Sequence, residues 1–151
     1  MKICFTASTG GHFEQMMMLK PLMEKYESVI VTEKTEYSVV KDLKNIYYLS
    51  QVNRTEKLFV LKMLKNSMMS LKIFLKEKPD LVISFGALAT IPLCLYAKIF
   101  GKKLIFIESF AKVNSPTVTG NLLSKFADEF YVQWEEMKKF YPNAIYKGGI
   151  Y

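Results

Sequence analysis

Three short stretches carry residue types that could do chemistry: Thr9-Gly10-Gly11-His12, Phe85-Gly86, and Glu108-Ser109. A glycine pair lets backbone N–H groups approach an anion closely, so Thr9, Gly10 and Gly11 are candidate phosphate contacts. A tight strand-to-helix turn uses glycine as well. The pair is neither GxGxxG nor GK[ST], so neither NAD nor ATP is specifically signalled. His12, the only histidine in the chain, titrates near neutrality and can take a proton from a sugar hydroxyl or hydrogen-bond to it; otherwise it is a structural or solvated imidazole. Gly86 makes a second glycine turn. Glu108 and Ser109 add a carboxylate and a hydroxyl, which makes Glu108 a second candidate base, with helix capping as its structural alternative. No carboxylate pair has metal-ligand spacing, and Cys4 and Cys94 lie in apolar stretches as buried, reduced thiols. No metal and no cofactor are therefore expected.

These stretches can act together only if the fold brings them to one edge. Short apolar runs at Ile3–Ala7, Val29–Thr32, Ile46–Leu49, Leu81–Phe85, Leu104–Glu108, Phe130–Gln133 and Ala144–Tyr146 read as strands. Between them, helical spacing appears after Gly11 as far as Tyr26, over Tyr37–Leu43, Arg54–Lys78, Leu88–Phe100 and Gly120–Phe126, and over Glu135–Phe140. Strands that alternate with helices and are apolar on both faces call for an α/β, doubly wound, mostly parallel Rossmann-like sheet. Residues 1–151 are expected to form a single domain of this kind. The strand order 3-2-1-4-5-6 would set the strand at Ile3 beside the strand at Leu81, where the winding reverses and ligands bind beyond the carboxyl ends of the strands. The three chemical stretches are the loops that arrive there.

The chain holds 21 basic and 14 acidic side chains, a net charge of +7, and Arg54 is its one arginine. Bidentate recognition of phosphate or guanine needs the guanidinium fork, so nucleic acid is not an expected partner; lysine as a point charge suits anionic lipid better. On the long helix Lys62, Lys65, Lys72 and Lys76 share one face, with Leu58 and Met69 among them and Leu61, Met68 and Ile73 at its margins. Val60, Met63, Leu64, Leu71, Phe74 and Leu75 point to the other side. A lysine stripe interleaved with apolar tips is expected to lie on an anionic bilayer, against the plainer alternative of a solvated lysine face. The N-terminus turns polar too early for a signal peptide, and Ser84, Gly86, Thr90 and Pro92 interrupt the longest uncharged run, Leu81 to Ala97. The expected location is thus peripheral, on the cytoplasmic face of the cell membrane.

Thr9-Gly10-Gly11-His12 with Glu14-Gln15-Met16, Phe85-Gly86 with Pro92, Ile107-Glu108-Ser109-Phe110-Ala111 and the block from Asp128 to Trp134 together resemble one family along nearly the whole chain. It is the family of the membrane-anchor subunit of the split dolichol-pathway N-acetylglucosaminyl transferase, with its bacterial capsule and exopolysaccharide counterparts of the PssD and CpsF kind. More distantly, the glycine-glycine-histidine loop and the glutamate after the fifth strand resemble the N-terminal domain of MurG. The resemblance implies half of a GT-B glycosyltransferase that meets a polyprenyl-diphosphate-linked acceptor, with a second subunit holding the UDP-sugar donor. It also implies that Gly10, Gly11 and Gly86 hold the acceptor diphosphate and that His12 or Glu108 handles the attacking hydroxyl. The expectation is thus a split enzyme whose half ends soon after its last strand, without the N-terminal membrane helix of eukaryotic members. Membrane anchoring would then rest on the surface of this domain, most plainly the Arg54–Lys78 helix. A non-catalytic scaffold that activates its partner is the competing expectation.

Overall fold

The computed structural model describes residues 1–34, 43 and 45–151. The strands are β1 (Lys2–Ala7), β2 (Glu27–Lys34), β3 (Ile46–Ser50), β4 (Leu81–Ser84), β5 (Lys103–Ile107), β6 (Glu129–Val132) and β7 (Ile145–Tyr146). They form one parallel sheet in the order β3-β2-β1-β4-β5-β6-β7. The winding reverses between β1 and β4, where Ile3 pairs with Leu81 and Thr6 with Ser84. The expected doubly wound class and switch point are both present.

The helices are α1 (Gly11–Met17), α2 (Lys20–Lys25), α3 (Phe59–Glu77), α4 (Ile91–Ile99) and α5 (Val118–Leu123), with 3-10 turns at Leu88–Thr90 and Glu135–Lys139. The single helix expected after Gly11 is two, because Pro21 opens the second of them and lacks the N–H that would continue the first. The helix expected from Arg54 begins only at Phe59. The helix expected over Tyr37–Leu43 lies outside the described residues, apart from Leu43.

Side chains alternate across β1 into two cores. Ile3, Phe5 and Ala7 pack with Met16 and Met23 of α1 and α2, while Cys4 joins Ile73, Phe74, Leu93 and Cys94 of α3 and α4. Both cysteines are buried free thiols, and burial pushes the Cys94 thiol up to about 12. α3 is tied to the sheet by Asn66, whose amide accepts from the Ser50 N–H at 2.9 Å and donates to the Ser50 carbonyl at 2.7 Å, completing the end of β3 as a neighbouring strand would.

The outward face of α3 corrects the sequence expectation. Asn66, Ser70, Ile73 and Phe74 turn to the sheet, so Val60, Leu61, Leu64, Met68 and Leu75 turn away from it, each between 51% and 65% exposed. Lys65, Lys72 and Lys76 run beside this apolar stripe instead of enclosing it. Met69 is half-buried against the core, and Lys62 is paired with Glu56. Leu58 is exposed in the turn that precedes the helix. Apolar residues cover more than half of this helix's circumference, and the small polar side chains of Asn66 and Ser70 select the inward arc. Among the described residues no helix is long and apolar enough to cross a membrane.

Candidate functional site

The loops after β1, β4 and β5 meet at the carboxyl edge of the sheet. After β1 the chain turns through Gly10 at φ 72°, a left-handed conformation that glycine adopts without strain. Gly10 and Gly11 are exposed, and no side chain caps α1. Among the described residues the first-turn amides are thereby left without an intrahelical or side-chain acceptor. Glu33, near the end of β2, is a buried carboxylate that takes hydrogen bonds from the backbone of Thr9 and Val52; burial raises its pKa against those bonds. It fixes the start of the glycine turn from behind. The sequence reading missed it because its function depends on the neighbouring strand.

His12 stands on this turn, half-buried. Its Nδ1 is 2.9 Å from the Ser8 hydroxyl, which leaves Nε2 without a hydrogen-bond partner among the described residues. Burial lowers its pKa below the usual imidazole value, with the Glu108 carboxylate opposing. The ring is therefore neutral at pH 7, the form in which one nitrogen can accept a proton.

Gly86, in the loop after β4, is buried at φ 93°. Ala87 follows at φ 119° and ψ 144°, a region that side chains other than glycine's avoid, so the switch-point loop holds backbone strain. Pro92 lies in the first turn of α4.

Glu108 departs from its expected role as an open carboxylate. It is 1% exposed and satisfied by four donors. Oε1 accepts from the Ser109 N–H and the Thr117 hydroxyl, both at 2.9 Å. Oε2 accepts from the Thr117 N–H at 3.2 Å and the Tyr141 hydroxyl at 2.7 Å. Burial and this carboxylate together hold the Tyr141 hydroxyl protonated. A side chain at Gly120 would strike the Glu108 carboxylate and come within 2.6 Å of the Tyr141 hydroxyl. Glu108 thus clamps the loop from Ser109 to Thr117, and Ser109, itself buried, contributes its amide to the clamp. The lone pairs of the Glu108 carboxylate are taken up by these donors, whereas His12 Nε2 has no hydrogen-bond partner among the described residues.

A second buried set supports the first. Gln15 Oε1 accepts from the Phe110 N–H at 3.1 Å and from Gln133 Nε2 at 2.7 Å, Gln133 Nε2 also donates to the Glu108 carbonyl at 2.8 Å, and the Trp134 indole N–H donates to the Phe110 carbonyl at 2.6 Å. Among the described residues no three His, Cys, Asp or Glu side chains converge on a point where a metal could sit.

Comparison with known proteins places these features in a wider set. A family model described as "Oligosaccharide biosynthesis protein Alg14 like" matches residues 3–150. Two proteins named UDP-N-acetylglucosamine transferase subunit ALG14 are each 27% identical: that of Yarrowia lipolytica over 97% of this chain and 80% of its own length, and the human one over 99% and 83%. The crystal structure of Acinetobacter baumannii MurG superposes with a TM-score of 0.74 at 22% identity, covering 89% of this chain and 42% of that one. The shared fold is the Rossmann-like N-terminal type of GT-B proteins.

Proposed function

The chain belongs to the Alg14-like family of oligosaccharide biosynthesis proteins, and from that premise we propose that it is the acceptor-binding, membrane-associating subunit of a two-component glycosyltransferase. Its partner subunit carries the UDP-sugar. The sugar passes to a polyprenyl-diphosphate-linked saccharide at the cytoplasmic face of the membrane, in capsule or exopolysaccharide assembly. Both relatives described above are named as transferase subunits, which supports dependence on a second chain.

The observation that carries the reading is His12: a neutral imidazole with a free Nε2, on a glycine turn with uncapped amides, at the switch point of the sheet. The acceptor diphosphate lies against the Gly10–Gly11 turn, which sets the attacking hydroxyl near His12; Gly86, expected to share that contact, is buried with its N–H donated to Ser84 Oγ at 3.2 Å and instead shapes the switch-point loop. As the hydroxyl oxygen bonds to the sugar's anomeric carbon, its proton passes to Nε2, while the bond from that carbon to UDP breaks and UDP leaves on the partner. Glu108 positions the neighbouring loop and tempers the pKa of His12. The outward face of α3 holds the subunit on anionic lipid, Lys65, Lys72 and Lys76 meeting headgroups and Leu61, Leu64 and Met68 entering the interface.

The test is reconstitution with a candidate UDP-sugar-binding chain and a lipid-diphosphate saccharide. Neither chain alone should turn over, the pair should, and His12→Ala in the pair should lower turnover by roughly a hundred- to ten-thousand-fold. An unimpaired His12→Ala pair would make this chain the non-catalytic scaffold instead.

A further inference from the structure

A cavity of about 350 Å³ lies at the outer edge of the sheet, where the carboxyl ends of β2 and β3 meet α3. Lys34, Tyr48, Leu49, Ser50, Lys65 and Met69 line it. Its volume falls within the range of small-molecule sites, about 300–1,000 Å³. The backbone holds the wall in place. Tyr48 and Ser50 are two residues apart and share a face of β3, Lys34 is the register partner of Ser50 on β2, and Lys65 and Met69, four apart, share a face of α3. The two bonds between Asn66 and the backbone of Ser50 fasten the helix to the strand beside Lys65. Met69, packed on the core, fixes the next turn.

This lining carries two cations and no acid. Lys34 and Lys65 are exposed, and among the described residues neither is paired with a carboxylate. Lys62, one turn earlier on α3, has Glu56. Two ammonium groups at one cavity without a counter-ion raise its potential, and a ligand bearing two negative charges relieves it. A phosphate monoester carries about −1.5 to −2 near pH 7, whereas a diester has a single ionisable oxygen. Lysine meets phosphate as a point charge and needs no fixed fork geometry, so two flexible stems can close on one group.

We infer that this cavity binds a phosphate monoester, with the dianion between Lys34 and Lys65. The group belongs to a lipid headgroup or to a soluble phosphate ester. The site is independent of the acceptor reading and of His12. It goes beyond the lipid contact described above, in which Lys65 is part of a charged face, by giving that lysine a defined pocket, a second cation from the sheet and a preferred anion.

Two measurements on the full chain test it. Calorimetry with glycerol 3-phosphate should show saturable binding that Lys34→Gln and Lys65→Gln each weaken roughly ten- to a hundredfold, the span expected for losing one charged hydrogen bond. Replacing Lys72 and Lys76 together with Gln should leave it unchanged. Both pocket lysines are exposed, so the melting temperatures of their variants should match wild type. Sedimentation then compares vesicles containing phosphatidate, a monoester, with vesicles containing phosphatidylglycerol, a diester, at equal surface charge. A preference for phosphatidate that Lys34→Gln abolishes assigns the pocket to a headgroup, and glycerol 3-phosphate binding without that preference assigns it to a soluble ester; either supports the pocket. Glycerol 3-phosphate binding that survives both single substitutions places the site elsewhere and overturns the inference. If no saturable binding is seen, both vesicles pellet equally and all four lysines contribute alike, the attraction is diffuse, which overturns the pocket and leaves the lipid contact standing. A chain that binds none of these probes overturns both.

Discussion

At His12 the surroundings set both the charge and the direction of a single imidazole. Burial depresses its pKa below the ordinary 6.5, so the acid limb of kcat/KM for the reconstituted pair should fall below pH 6.5. Ser8→Ala removes the partner of Nδ1 and should lower kcat more than it changes KM, because the ring loses its orientation and the acceptor loses no contact. The folded chain also binds this proton less readily than the unfolded one. Stability associated with His12 is therefore full above about pH 6.5 and declines as pH falls through it, and His12→Gln should flatten that slope in urea melts at successive pH values. Glu108 behaves differently, as a buried acceptor for four donors. Glu108→Ala should cost about 3 kcal/mol or more by leaving those donors unpaired, and Gly120→Ala should destabilise through its collision with the same carboxylate. Circular dichroism melts check both. Should Glu108→Gln keep the fold and abolish turnover with His12 intact, the assignment of the base would reverse.

The elements divide into those whose sequence names their surroundings and those whose surroundings are settled by other segments. The strand apolar runs and the glycines that end β1 and β4 were legible because period and turn chemistry are local. The carboxyl-edge position of His12 followed from topology. The clamp on Glu108 was not legible, since Thr117, Gly120 and Tyr141 reach it from segments whose approach no local pattern encodes. Nor was the inward arc of α3, where Asn66 and Ser70 outrank bulkier apolar neighbours. Two outcomes follow at this scale. Ala87→Gly relieves a backbone conformation that alanine rarely adopts and should raise stability by about 1 kcal/mol, read as a shift in the urea midpoint. On α3, replacing Lys65, Lys72 and Lys76 together with Gln should cost roughly 3 kcal/mol of binding to anionic vesicles at about 1 kcal/mol each, an effect that shrinks as salt rises. Leu64→Ser with Met68→Ser should weaken binding with little salt dependence. Met69→Ser should instead lower the melting temperature, because Met69 packs on the core. Equal pelleting of the triple-Gln variant at low salt would return the lysines to a solvated face.

Across the whole molecule, the proposed lipid contact on α3 and the edge that carries His12 are coupled by topology. In a parallel sheet every crossover helix starts at the carboxyl edge, so the apolar stripe of α3 begins at the edge that carries His12, and on the proposed function a subunit lying on that stripe would bring this edge toward the lipid. Recruitment and chemistry then separate by the choice of acceptor. On a polyprenyl-diphosphate saccharide embedded in anionic vesicles, the reconstituted pair carrying the triple-Gln substitution should lose roughly the hundredfold that its weakened partitioning predicts at low protein concentration. On a short-chain, water-soluble analogue, the same pair should match wild type, because the residues at the carboxyl edge are unchanged. His12→Ala should fail equally on both acceptors. If the triple-Gln pair were impaired on the soluble analogue too, the lysines would be acting on the acceptor itself or on the partner subunit, and α3 would belong to the catalytic assembly instead of to the membrane contact.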